Sequence, residues 1–154
     1  MDKETFARQV TALRGSLYRV AAGYLRGEND RLDAVSEAIA RAWERRGSLR
    51  DERLFKTWIT RILMRECMNI QRRQRRCVPV EQLPEAATDQ ADTAAALREA
   101  LDNLPQHWRT MVILHYMEGY DVREVAAIMR TTKGAVCAGL SRARERLRSL
   151  IGEE

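Results

Sequence analysis

The sequence predicts an all-α fold, and three observations carry that reading. Apolar side chains recur at spacings of three and four along most of the chain. No segment sustains the period-two alternation of a half-buried strand. All three prolines (Pro79, Pro84 and Pro105) gather in or at the end of one acidic stretch, which leaves two proline-free blocks for helices. The expectation is two small helical domains, residues 1–77 and 94–154, joined by an acidic linker over 78–93.

The elements follow in order. Phe6, Val10, Leu13, Leu17, Val20/Ala21 and Tyr24 mark one face of a first helix. Leu32, Val35, Ile39 and Ala42/Trp43 mark a second, with Asn29 or Asp30 as its N-cap and Gly47-Ser48 at its end. A long third helix starts near Glu52 and turns Leu54/Phe55, Trp58/Ile59, Ile62/Leu63 and Met68/Ile70 inward, so Trp43 and Trp58 are the expected bulk of the first core. After the linker, a short helix over 94–103 stops at Leu104-Pro105. Residues 106–118 form the next, with Trp108, Met111/Val112 and His115/Tyr116 inward, until Gly119 breaks it. Asp121 caps a short helix with Val122, Val125/Ala126 and Met129 inward. Thr131-Thr132 opens the last helix, packed through Val136, Leu140, Ala143, Leu147 and Leu150.

Composition narrows the function classes. The 154 residues carry 24 Arg but only 3 Lys, with a formal net charge of +5. That charge is uneven: residues 1–77 hold 18 basic and 10 acidic side chains, 78–104 hold 1 and 6, and 105–154 hold 8 and 6. No apolar run approaches the roughly 20 residues of a membrane span, and the charged start Met-Asp-Lys-Glu-Thr does not read as a secretory signal. Cys67, Cys77 and Cys137 are odd in number and widely spaced, so free thiols in a reducing cytoplasm are expected. His107 and His115 lack ligand-like company, and no phosphate loop, nucleophile elbow or HExxH pattern occurs. The expectation is therefore no catalytic residue, no metal, no cofactor and no small-molecule substrate.

Two constellations carry the binding chemistry. Arg61, Arg65, Arg72, Arg73, Arg75 and Arg76 lie on and after the third helix, and within residues 61–77 only Glu66 opposes them. A track this dense suits phosphates, bound with release of counterions, although an acidic protein surface or plain solvation would also accept it. The second constellation runs from Tyr120 through Arg144. A short helix, a tight turn and a second helix with small residues near its start fit a helix-turn-helix, with a plain helical hairpin as the alternative. Thr132, Lys133 and the backbone N–H groups at that helix start can meet phosphate. Arg142, Arg144, Arg146 and Arg148 alternate by two, so they cannot all face one groove.

With these residues in view, the chain resembles bacterial RNA polymerase sigma factors of the sigma-70 family, extracytoplasmic-function (ECF) group. The matching pieces are Leu17-Tyr-Arg-Val-Ala21, Asp33 through Trp43, Phe55 through Leu63 with the arginine track, Leu104-Pro105, Ile113 through Gly119, and Val136 through Arg146. The resemblance implies a factor that binds core RNA polymerase and directs initiation by reading and melting promoter DNA. Asp33 and Glu37, four apart on the second helix, are the implied polymerase-docking residues. The implied −10 surface is the loop 46–53 with Arg50 and Arg53, a helix face with Lys56, Arg61, Arg65 and Asn69, and Arg72 and Arg73 beyond it. The implied −35 residues are Thr132, Lys133, Gly134, Ala135, Ser141, Arg142 and Arg144. The acidic linker resembles the family segment that threads polymerase channels, and an anti-sigma factor is the implied further partner.

Several positions depart from the family pattern. Cys137 stands where Lys is usual and Gly139 where Arg is usual, so two DNA-facing cations are expected to be missing. Arg130 replaces a frequent Gly, Arg65 a frequent Asn, and Asn69 a frequent Asp. An altered or weaker −35 preference is the expectation. A stand-alone DNA-binding regulator and an arginine-rich protein-interaction module are the rival readings, and both would act without polymerase-dependent initiation.

Overall fold

The computed structural model describes residues 1–76 and 92–151. Its two compact units contain Met1–Arg76 on one side and, on the other, the described residues up to Ala126 and from Thr131 on. Of the expected linker, 78–93, residues 78–91 lie outside the described residues, as does Cys77, and the linker's last two residues open a helix instead.

The first unit is three helices: α1 (Lys3–Tyr24), α2 (Glu28–Glu44) and α3 (Phe55–Arg76). Asp2 caps α1, its carboxylate accepting from the Thr5 N–H at 2.8 Å. The α1 face is the one the spacing predicts, except that Leu13 is only half-buried. In α2 the register differs from expectation. The buried line is Ala34, Val35, Ala38 and Ala42, whereas Leu32 is 49% exposed and Ile39 half-buried. Small side chains let helix backbones approach, so the alanines form the seam and the larger residues flank it. Gly27, not Asn29 or Asp30, holds the N-cap position, and α2 ends at Glu44, before a 3₁₀ turn over Arg46–Ser48.

A second 3₁₀ turn, Glu52–Leu54, leads into α3, so Leu54 points outward at 56% exposure. The centre of the core is Phe55 with Leu17, Leu25, Ile59 and Leu63, each at most 1% exposed. Trp43 and Trp58 are half-buried flanking residues rather than its bulk. Phe6 joins the two sides, packing edge-on against Trp43 at 5.1 Å and Phe55 at 5.6 Å between ring centroids. Gln71 Nε2 donates to the Tyr24 carbonyl (2.9 Å) and Gln74 Nε2 to Asp30 Oδ2 (2.7 Å), which fastens the arginine-rich end of α3 to the α1–α2 turn.

The second unit is built from α4 (Asp92–Asp102), α5 (Gln106–Val112), α6 (Val122–Met129) and α7 (Lys133–Ile151). A π-helical turn, Ile113–Met117, extends α5 and is closed by the Glu118 N–H donating to the Ile113 carbonyl. That wider turn shifts the phase: Ile113 and Leu114 are buried, while Tyr116, expected inward, is 53% exposed. His115 Nδ1 donates to the Tyr120 carbonyl at 2.8 Å, a structural role. Gly119 takes φ +75°, a left-handed conformation that glycine adopts freely.

Candidate nucleic-acid and polymerase-docking surfaces

On α3, the arginines are held out by the residues opposite them. Phe55, Ile59, Leu63, Cys67 and Ile70 anchor one side of the helix in the core. At 100° per residue, Arg61, Arg65, Asn69, Arg72 and Arg76 then fall within about 80° of one another on the outward side. Arg65, Arg72, Arg73 and Arg76 are exposed, and Arg61 and Asn69 half-buried. Lys56 does not join this stripe. It is nine residues before Arg65, about half a turn around the helix, so the expected face of Lys56 with Arg61, Arg65 and Asn69 is corrected to one without the lysine.

The loop before α3 is internally braced. Arg46 lies over the Trp43 ring at 3.6 Å and donates to the Trp43 carbonyl at 2.7 Å, so its guanidinium supports the fold. Arg53 donates through Nε and Nη2 to both Asp51 oxygens, each at 3.1 Å, and Asp51 also accepts from the Arg53 N–H. The Arg53 hydrogen bonds hold the Asp51 carboxyl below its ordinary pKa, and the Asp51 partner holds Arg53 above its own. Arg50 is exposed on the same loop.

Asp33 and Glu37 are both exposed and share one side of α2. They line a surface groove of about 840 Å³ together with Arg41 of α2 and with Asn69, Arg72, Arg73 and Arg76 of α3. The structure thus brings the two carboxylates and the distal half of the arginine stripe to one surface. Sequence reading missed two participants. Arg41 Nε lies 3.2 Å from Glu37 and 2.7 Å from Glu66, and Glu66 is buried. The signal was present: Glu66 lies three residues after Leu63 and four before Ile70, hence in the inward register of α3.

The helix-turn-helix is present in the second unit. Asp121 and Glu124 form a capping box: Asp121 Oδ1 accepts from the Glu124 N–H (2.8 Å) and Glu124 Oε1 from the Asp121 N–H (3.1 Å). The turn after α6 is a Schellman arrangement, with Thr131 N–H bonded to Ala126 O and Arg130 N–H to Ala127 O. It places Arg130 at φ 55°, the one non-glycine with positive φ among the described residues. Thr132 Oγ1 accepts from the Ala135 N–H at 3.0 Å, so this hydroxyl serves first as the α7 cap.

Val136, Gly139, Leu140 and Ala143 turn α7 inward. Gly139 is therefore not a DNA-facing position. A Cβ there would overlap the Met111 Sδ and lie 3.4 Å from Trp108, so glycine serves the α5–α7 contact. The outermost line is Gly134, Ala138, Ser141 and Glu145. Lys133, Cys137 and Arg144 flank it on one side, Ala135 and Arg142 on the other. Arg142 and Arg144 stand about 160° apart, too far to act on one phosphate row. Arg144 Nη1 also donates to the Tyr116 hydroxyl at 2.7 Å. Among the described residues, no group of three His, Cys, Asp or Glu is placed to hold a metal, and no helix is long and apolar enough to cross a membrane.

Two helical units, one with an arginine stripe that shares a groove with carboxylates and one with a helix-turn-helix, fit a DNA-binding protein. Residues 9–77 match the Sigma-70 region 2 family and residues 94–147 the Sigma-70 region 4 family. The chain is 30% identical to the ECF RNA polymerase sigma factor SigM of Mycobacterium tuberculosis over 98% of its own length and 79% of that relative. It is also 30% identical to the RNA polymerase sigma factor SigV of Bacillus subtilis, over 94% and 90%. Its fold is similar to that of the sigma factor RpoE of Bartonella quintana, solved with the anti-sigma factor NepR, at TM-score 0.83 and 22% identity over 98% of this chain and 99% of that one. CnrH, solved with the cytosolic domain of CnrY, gives TM-score 0.78 at 20% identity over 99% and 91%. The chain belongs to the ECF group of RNA polymerase sigma factors. It is a transcription initiation factor that works with core RNA polymerase at promoter DNA.

Proposed function

We propose that α2 docks this factor on core polymerase through Asp33 and Glu37, and that the two units then read separate promoter elements. The observation that supports this reading is the α2–α3 groove, where Asp33 and Glu37 share one surface with Arg72, Arg73 and Arg76. Arg50, Arg61, Arg65, Asn69, Arg72 and Arg73 serve the −10 element, with Arg53 braced by Asp51. Lys133, Gly134, Ala135 and Ser141 serve the −35 element, with Thr132 capping the reading helix and Arg142 and Arg144 reaching opposite sides. Residues 78–93 act as the acidic tether between the domains 1–77 and 94–154.

The factor performs no chemical step itself, because the polymerase supplies catalysis. A protein anti-sigma partner covers these surfaces at rest, as the complexes of RpoE with NepR and of CnrH with CnrY suggest by analogy. Co-elution with purified core polymerase and run-off transcription test the reading. Asp33→Arg with Glu37→Arg is expected to abolish both while helicity is retained; unchanged docking removes the two carboxylates from the site. Promoter selection by the chain without polymerase favours a stand-alone regulator instead.

A further inference from the structure

We propose that buried Glu66 is a positioning residue for polymerase docking, acting through Arg41 on Glu37; this rests on the docking role proposed for Glu37. Arg41 Nε stands between two carboxylates, 2.7 Å from Glu66 and 3.2 Å from Glu37. The Glu66 side chain is 8% exposed, while that of Glu37 is 54% exposed. Burial makes the Glu66 carboxylate the more demanding partner, since a buried ion that loses its counter-charge is costly. Arg41 therefore belongs first to Glu66.

The charge balance follows. With Glu66 present, the three side chains carry one net negative charge, and it lies at the solvent-facing Glu37. Without that buried charge, Arg41 and Glu37 form a neutral pair, and the guanidinium takes up the carboxylate that a cationic docking partner needs. The network also runs from α3 to α2, so the helix carrying the arginine stripe holds the docking carboxylate in register. Glu66 is thus the one acid in the α3 cationic run because its charge is spent inward, on Arg41.

Equilibrium titration of the full chain against purified core polymerase tests this, alongside thermal melts of each variant. Glu37→Gln is expected to weaken binding about tenfold, the scale of one interfacial charge contact. Glu66→Gln is expected to weaken it by a similar order, and to add little once Glu37→Gln is present, although the melting temperature still falls. Glu66→Asp keeps the charge and loses a methylene. It is expected to melt lower than the parent yet bind within about twofold of it, and it carries the test if Glu66→Gln does not fold. Parental affinity in Glu66→Gln, an undiminished Glu66→Gln loss in the Glu37→Gln background, or weakened binding by folded Glu66→Asp overturns the inference. Parental affinity in Glu37→Gln overturns the docking role itself, a separate result.

Discussion

Gly139 shows how one position changes meaning between sequence and structure. In sequence it is a helix-weakening residue where the family resemblance leads one to expect a cation; in the structure it is the point where α7 meets Met111 and Trp108. Gly139→Ala gains up to ~1 kcal/mol of helix propensity but makes the flexible end of Met111 move aside, which offsets part of that gain. A gain smaller than the propensity rule alone gives is expected in chemical denaturation of the full chain. Cys67 makes a second case. Burial, reinforced by the Glu66 charge, pushes its thiol up to about 12 from 9.0. The folded state therefore keeps the proton longer than the unfolded chain does. The contribution is fully present below pH 9 and is lost as pH climbs from 9 towards 12. Stability measured across that window should fall less steeply in Cys67→Ala than in the parent. Neither role is readable from local sequence, because both depend on which residues arrive from other helices.

At the scale of elements, helix positions were legible and helix rotations less so. The first helix face was read almost residue by residue, since Phe6, Val10, Leu17 and Tyr24 leave only one apolar side. In α2 two stripes satisfy the same spacing, and periodicity does not choose between alanines and the larger Leu32 and Ile39. Close approach of neighbouring helices chooses the small residues. The π-helical turn at Ile113–Met117 is invisible to a 3.6-residue rule and accounts for the outward Tyr116. Turn chemistry was more readable: the Asp121 cap stands where its position implies. The departure at Arg130 also has a local meaning. Its φ of 55° is the conformation that a glycine takes without strain. Arg130→Gly is expected to raise stability by up to ~1 kcal/mol, read as a higher denaturation midpoint with unchanged helicity.

Across the whole molecule, the class of fold and the two-unit plan followed from proline placement, charge partition and helical spacing. The groove shared by α2 and α3 did not. Asp33 and Arg72 are far apart in sequence, and only the packing of α2 on α3 puts them on one groove. Electrostatics at this scale is testable by salt titration of promoter binding by the polymerase complex. Each arginine that neutralises a phosphate contributes about 0.7–0.9 to the slope of log affinity against log salt. Arg65→Ala with Arg72→Ala is expected to flatten that slope by roughly twice this amount; an unchanged slope assigns both side chains to solvent or protein.

On the −35 role proposed for Arg144, its contact with Tyr116 bears on how tightly the second unit would hold DNA. The phenol takes only one of the five guanidinium N–H donors and holds the side chain in one direction, so a phosphate met along that direction is bound with less loss of side-chain freedom. Grip is thereby set partly by a residue outside the reading helix. Adjustment of promoter strength is open to change at Tyr116 without any alteration to the groups that touch bases.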